Sequence, residues 1–331
     1  MSGDGTQPPL DAATAASRAR QVAVLAEPTR LRIMSVLATQ AELEHTVSTV
    51  AAELDLDVAA AREHVAALRD AQLIEALPGR DEPRLIPSAE AWVRFGRLLS
   101  GKPSYAPPVA PEGAATIPDL ALLPSQLQRV ADRLAYRYSS HYSRETVDRY
   151  VAESYQLLAS RAKTARHLPS LTSRFASERL GALAAAQGFD LTGTPEVLFV
   201  CVQNSGRSQI AAGLLRSLAG PQVHVRTAGS QPAGAIDPVV VQVLEEVGVP
   251  LVAEFPKPLT DEVVQAADIV ITMGCGDACP VYPGRRYMDW KIDDPLGRPV
   301  EDVRAIRDRI RGHIDDLVNG LGLLPRHYFY P

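Results

Sequence analysis

Val197-Leu198-Phe199-Val200-Cys201-Val202-Gln203-Asn204-Ser205-Gly206-Arg207-Ser208 carries the sharpest change of pattern in this 331-residue chain. Its first four residues form a short apolar run, the pattern of a strand buried on both faces of a parallel sheet. The polar loop that follows opens directly into a helical pattern through Leu218. Further along, Val223-His224-Val225-Arg226 reads as a second strand, Pro238 to Val247 as a helix, and Asp268-Ile269-Val270-Ile271-Thr272 as a third strand. Glu301 to Val318 is a closing amphipathic helix. Strands alternating with helices predict a three-layer α/β domain with a parallel sheet over residues 194–325. Its ligands are expected beyond the carboxyl ends of the strands.

The chain is long enough for two or three domains. Gly101 to Gly113 is rich in proline and reads as a semi-rigid linker, bounded at 101–117. Between it and the α/β domain, residues 118–190 are helical throughout, with apolar faces at Leu127, Val130 and Leu134, then Val147, Tyr150, Val151 and Leu158, then Leu171, Phe175, Leu180 and Leu183. This predicts a three-helix bundle without chemistry of its own. Residues 19–100 read as short helices followed by a strand-turn-strand, and residues 1–18 as a disordered tail.

Composition (46% hydrophobic, 22% charged, net charge −5) is that of a globular protein. It argues against a chain that coats nucleic acid wholly, while a local basic face remains compatible with it. No apolar run spans a bilayer, no membrane role is expected, and the N-terminus lacks a secretory pattern, so a cytoplasmic location is expected. Three cysteines are too few for a disulfide framework.

Cys201 ends a strand and Arg207-Ser208 begin a helix, so backbone N–H groups gather around one point at a helix N-terminus. Such a nest holds a tetrahedral anion. The oxyanion-binding set is Val202, Gln203, Asn204, Ser205, Gly206, Arg207 and Ser208, with the planar fork of Arg207 able to hold two oxygens. The same field favours a thiolate, which makes Cys201 the candidate nucleophile. Ser208 is placed to donate to its sulfur, and Asn204 to hold the loop in shape. A buried structural cysteine is the bland alternative; the strand-loop-helix context favours chemistry. Two further cysteines lie in Met273-Gly274-Cys275-Gly276-Asp277-Ala278-Cys279-Pro280, at the same sheet edge. A closed zinc site is not expected with three cysteines and no histidine nearby, and no metal ligands are assigned. Inert core thiols are the other alternative.

Residues 195–320 resemble the low-molecular-weight protein tyrosine phosphatase family, including its arsenate reductase branch. The resemblance implies a general acid at Asp294 of Asp294-Pro295, chosen over Asp293 by position relative to Pro295. Water resolves a phosphatase's phospho-cysteine, whereas reduction of a bound oxyanion needs a second thiol. Cys275 could attack the Cys201–arsenic adduct, releasing arsenite and forming Cys201–Cys275, after which Cys279 would carry the oxidation outward as Cys275–Cys279. In this segment the chain resembles the thioredoxin-coupled arsenate reductases, with Cys275 second and Cys279 third. That resemblance implies thioredoxin as electron donor and no bound cofactor; the short cysteine spacing leaves a mycothiol or mycoredoxin route open. The helical segment is similar to the extension on some actinobacterial reductases of this group. Gly206 stands where the group often carries an additional cysteine. Leu296-Gly297 stand where protein phosphatases commonly carry aromatics, which favours a small inorganic anion, arsenate or phosphate-like. The rival readings are a protein tyrosine phosphatase and a non-catalytic oxyanion-sensing regulator.

The N-terminal segment resembles the ArsR-type winged helix-turn-helix repressors through Leu25-Ala26-Glu27-Pro28-Thr29-Arg30-Leu31-Arg32-Ile33 and the run His64 to Ile74. Pro28 suits a helix start, and Asp57 caps a helix whose buried stripe is Ala61, Val65 and Leu68. The resemblance makes 58–70 a recognition helix, with Arg62, His64 and Arg69 as DNA contacts and Arg80 and Arg84 on the wing. It implies operator DNA as a partner and a homodimer through this module. Glu63 and Ala59-Ala60 offer DNA few donors, so a module kept for dimerisation or docking is the alternative. The module has no cysteine, which excludes a thiolate arsenite sensor within it.

Overall fold

The computed structural model describes residues 12–39, 44–79, 81–88, 91, 95, 120, 123–160, 167–189, 194–252, 254–275, 279–282 and 284–323. Two compact units divide the chain, Met1–Lys102 and Pro103–Pro331. The expected linker and residues 1–11 of the expected tail lie outside the described residues.

In the first unit, helices α1 (Ala12–Leu25), α2 (Pro28–Thr39), α3 (Val47–Leu54) and α4 (Val58–Asp70) precede an antiparallel hairpin of β1 (Ile74–Leu77) and β2 (Arg84–Pro87). Helix α1 starts inside the segment expected to lack structure. Its Ala-rich opening has high intrinsic helix propensity, which apolar periodicity does not report. Asp57 caps α4, accepting from the N–H groups of Ala59 (2.8 Å) and Ala60 (3.3 Å), while a reciprocal pair between Thr46 and Thr49 caps α3. Ile33, Met34, Leu37, Val50, Val65, Leu68, Leu73 and Leu85 form the core of this helix-turn-helix and wing.

The second unit contains helices α5 (Ser125–Arg137), α6 (Arg144–Ala159) and α7 (Leu168–Ala186), followed by β3 (Glu196–Cys201), α8 (Arg207–Ala219), β4 (His224–Gly229), α9 (Pro238–Glu245), α10 (Asp261–Ala266), β5 (Ile269–Met273), β6 (Arg286–Asp289) and α11 (Val300–Gly320). The strands form one parallel sheet in the order β4-β3-β5-β6. All six residues of β3 are buried, as an all-parallel inner strand requires. Strand order reverses beside β3: the chain goes first to β4 on one side, then to β5 on the other. The crevice at the carboxyl ends of β3 and β5 is therefore a topological switch point.

Helix α7 does not keep to the expected bundle. Its Ala176, Leu180 and Leu183 pack with α5 and α6, but its Ala182 and Ala185 pack with Leu198 and Val200 of β3, Ala228 of β4 and Val270 of β5. The boundary expected between 190 and 194 thus separates segments of chain, not cores. The opposite face of β3 shows the strand's alternation: Phe199 packs on Trp290, which stacks on His313 of α11. Among the described residues, no helix is long and apolar enough to cross a membrane.

Candidate active site

Cys201 is the last residue of β3 and is buried. The loop behind it is held by its carbonyls. Those of Cys201, Val202, Gln203 and Ser205 accept from the N–H groups of Ser230, Gln231, Ala233 and Asp237, at 3.2, 2.8, 2.9 and 3.1 Å. The Asn204 carbonyl accepts from Gln209 Nε2 at 3.0 Å, and that of Gly206 from the first turn of α8. Among the described residues, the N–H groups of Gln203, Ser205, Gly206 and Arg207 donate to no backbone carbonyl. With the carbonyls engaged elsewhere, these donors at the start of α8 have the geometry that can take up an anion.

Asn204 lies in the left-handed region (φ 49°), which asparagine tolerates better than most residues. Its N–H donates to Cys201 Sγ at 3.2 Å and its Nδ2 to Ser208 Oγ at 2.8 Å. Since Ser208 Oγ accepts from Asn204, its own hydrogen is available to Cys201 Sγ, 3.1 Å away. Both contacts aim a donor at the sulfur. The Oδ1 of Asn204 is in turn fixed by the N–H of Lys257 at 2.8 Å, with Gln209 Nε2 and Thr227 Oγ1 beyond.

Arg207 is buried, with Nη1 on the carbonyl of Ile292 (3.4 Å) and Nη2 on Asp294 Oδ2 (2.9 Å). Among the described residues its Nε is buried without a partner, so the fork fits an anion that would complete its donor set. Asp293 pairs instead with Arg309 of α11 at 3.1 Å. The two adjacent carboxylates therefore face different partners, and it is Asp294 that meets the loop. Gly206 has a steric reason as well: a Cβ there would stand 2.6 Å from Pro295 Cγ.

Cys275 lies two residues past Met273, the register partner of Cys201. It packs with Cys279 in the apolar cluster beneath Ala182 and Ala185, and all three cysteines are free. Burial pushes the Cys275 thiol up, and the charges of Cys201 and Asp289 add to the effect against opposing hydrogen bonds. Cys279 is pushed up to about 11 by burial and by Cys275. Residues 276–278 lie outside the described residues.

In the first unit, Arg62 and Arg69 are exposed on α4, and Arg84 is half-buried at the start of β2. His64 directs Nδ1 back at Glu27, 3.6 Å away, which places it in contacts within the unit. Arg80 lies outside the described residues. The carbonyl-holding segment 230–237 and Lys257 carry no signal in the sequence that marks them as part of the site. Their contribution is through backbone groups, which side-chain identity does not reveal.

A strand-loop-helix anion nest with a terminal cysteine, at the switch point of a parallel sheet, defines a thiol enzyme of phosphatase-like architecture. Residues 196–323 match the model of the low molecular weight phosphotyrosine protein phosphatase family, 127–184 a protein-tyrosine-phosphatase-like N-terminal domain, and 25–75 a helix-turn-helix domain. A thioredoxin-dependent arsenate reductase of Corynebacterium glutamicum is similar in structure, with 48% identity and a TM-score of 0.56, over 60% of this chain and 97% of that one. Arsenate reductase 1 of Staphylococcus epidermidis is 32% identical over 123 residues, 36% of this chain and 92% of that protein. The glutaredoxin arsenate reductase of Synechocystis is 29% identical over 126 residues, 37% of this chain and 95% of that protein. The chain belongs to the low molecular weight phosphotyrosine protein phosphatase family, and carries a helix-turn-helix domain ahead of it.

Proposed function

We propose that this protein is an arsenate reductase joined to a DNA-binding regulator. The observation that carries the reading is a second buried thiol, Cys275, two residues past the register partner of the nest-held Cys201. Hydrolysis would need no thiol there. The thiolate of Cys201 attacks arsenate held by the nest and Arg207, forming a sulfur–arsenic bond. The displaced oxygen leaves as water after taking a proton from Asp294. Cys275, once deprotonated, attacks Cys201 Sγ: a disulfide forms, the sulfur–arsenic bond breaks, and its electron pair reduces As(V) to As(III), released as arsenite. Cys279 then attacks Cys275, restoring the Cys201 thiolate and leaving Cys275–Cys279 for a thioredoxin-type dithiol, or a mycothiol-linked one, to reduce. The helix-turn-helix unit binds operator DNA as a homodimer, through Arg62, Arg69, Arg80 and Arg84.

The test is NADPH oxidation by the full chain with arsenate and a thioredoxin system, run beside an aryl phosphate. Arsenate-dependent turnover abolished in Cys201→Ser and in Cys275→Ser is the expected result. Aryl phosphate hydrolysis that survives Cys275→Ser, without arsenate turnover, would make the protein a phosphatase. No turnover of either, with a DNA shift that responds to arsenate, would make it a sensor.

A further inference from the structure

We infer that Glu178 and Lys257 are positioning residues that tie the helical extension to the nucleophile loop. Lys257 lies in the segment Phe255-Pro256-Lys257-Pro258, between β4 and α10, and its side chain is 4% exposed. Its Nζ meets Glu178 Oε2 of α7 at 2.8 Å and Glu254 Oε2 at 3.5 Å. Its backbone does separate work. The carbonyl accepts from Gly229, at the end of β4, at 2.8 Å, and the N–H donates to Asn204 Oδ1 at 2.8 Å. A continuous chain of polar contacts thus runs from Glu178 through Lys257 to Asn204, Ser208 and Cys201 Sγ.

Three features argue that the chain fixes the loop instead of merely filling space. A buried ammonium is strongly disfavoured unless paired, and of the two carboxylates at Lys257 Nζ it is Glu178 that accepts its hydrogen bond, with Glu254 farther off. Glu178 is itself held, its carbonyl accepting from Arg226 Nη1 at 3.0 Å. Asn204, at the receiving end, is a left-handed residue whose conformation must be supported from outside. Relatives such as the Staphylococcus epidermidis protein, matched over 92% of their length by 123 residues of this chain, have no room for three further helices. The extension is therefore an addition to the catalytic fold, and this contact gives it a route to the thiol. The inference holds whether the acceptor is arsenate or an aryl phosphate, because it is read at the thiol itself.

The experiment measures alkylation of Cys201 by iodoacetamide against pH in the full reduced chain, followed by peptide mass mapping so that Cys275 and Cys279 are counted apart. Glu178→Ala should slow Cys201 alkylation at neutral pH about fivefold, the effect of loosening one hydrogen bond, and move its pH profile upward. Glu178→Gln, which keeps an acceptor for Lys257 Nζ, should restore most of the rate. Glu153→Ala is the control: Glu153 of α6 pairs at 3.0 Å with Arg179 of α7, the helix that carries Glu178, but has no ion pair with Lys257. It should lower the thermal midpoint and leave the Cys201 profile in place. The inference is overturned if Glu178→Ala matches wild type, or if Glu153→Ala moves the profile equally. Should Glu178→Ala not fold, Glu178→Gln against Glu153→Gln decides by the same criterion, with about a twofold effect expected.

Discussion

Gly274 sits against the guanidinium of Arg207, the group proposed to grip the anion. It has φ +74°, and a Cβ there would stand 2.8 Å from Arg207 Nη1. Gly274→Ala should therefore strain the backbone and push the guanidinium off its seat, raising the arsenate KM about tenfold or more in steady-state assays. A variant with unchanged KM would show that Arg207 moves freely. The thiols make a second test at this scale. Burial holds Cys275 and Cys279 above the ordinary thiol range, Cys279 at about 11. Their thiolate fractions rise only on the alkaline side, so alkylation of both in the resting protein should keep increasing above pH 9 without a plateau. A plateau near neutral pH for Cys275 would contradict its burial. That Cys201, Arg207 and Ser208 share one strand-loop-helix was legible in the sequence because it follows from residue type and spacing. The choice of Asp294 over Asp293 rested there on resemblance; in the structure Asp294 pairs with Arg207 and Asp293 with Arg309.

Among the elements, β3 and α4 are the ones most open to test. At the far end of β3 from Cys201, Glu196 is buried and its carboxyl lies at about 2. Burial alone would raise it; a hydrogen bond from His224 and the ion pair with Arg226 (2.7 Å) overcome that. Because the folded value is depressed, the stabilisation is complete above the unfolded carboxylate range and is lost as pH falls from about 4.5 through about 2. Denaturant unfolding should show Glu196→Gln less stable than wild type at pH 7, by on the order of 3 kcal/mol, with the difference closing near pH 2. A gap independent of pH would remove the electrostatic account. In α4, Asp57→Ala should cost about 1 kcal/mol by leaving two N–H groups of the first turn uncapped. The α4 cap and stripe were readable from sequence because both are local signals. The dual role of α7 was not, since its alanines carry no periodicity that distinguishes a bundle core from a sheet face.

On the scale of the whole molecule, the two compact units have separate cores. Calorimetry of the full chain should resolve two transitions, with Asp57→Ala moving one and Glu196→Gln the other. A single transition shifted by both variants would show that the units unfold together. Sequence alone determined the chain's domain types, the strand-loop-helix at Cys201 and the presence of two further thiols in one short segment. Each of these is local: residue type and spacing are enough to specify a nest, a cap or an apolar run. Tertiary structure decided which groups meet across long separations. It seats Gly274 against Arg207, closes Pro295 over Gly206, and brings Glu178 and Lys257 to the support of Asn204. Such contacts depend on strand order and on backbone donors and acceptors, which every residue carries alike. The sequence could therefore single out Cys201 as a candidate, while the arrangement that holds it emerged only once the sheet and its helices had packed.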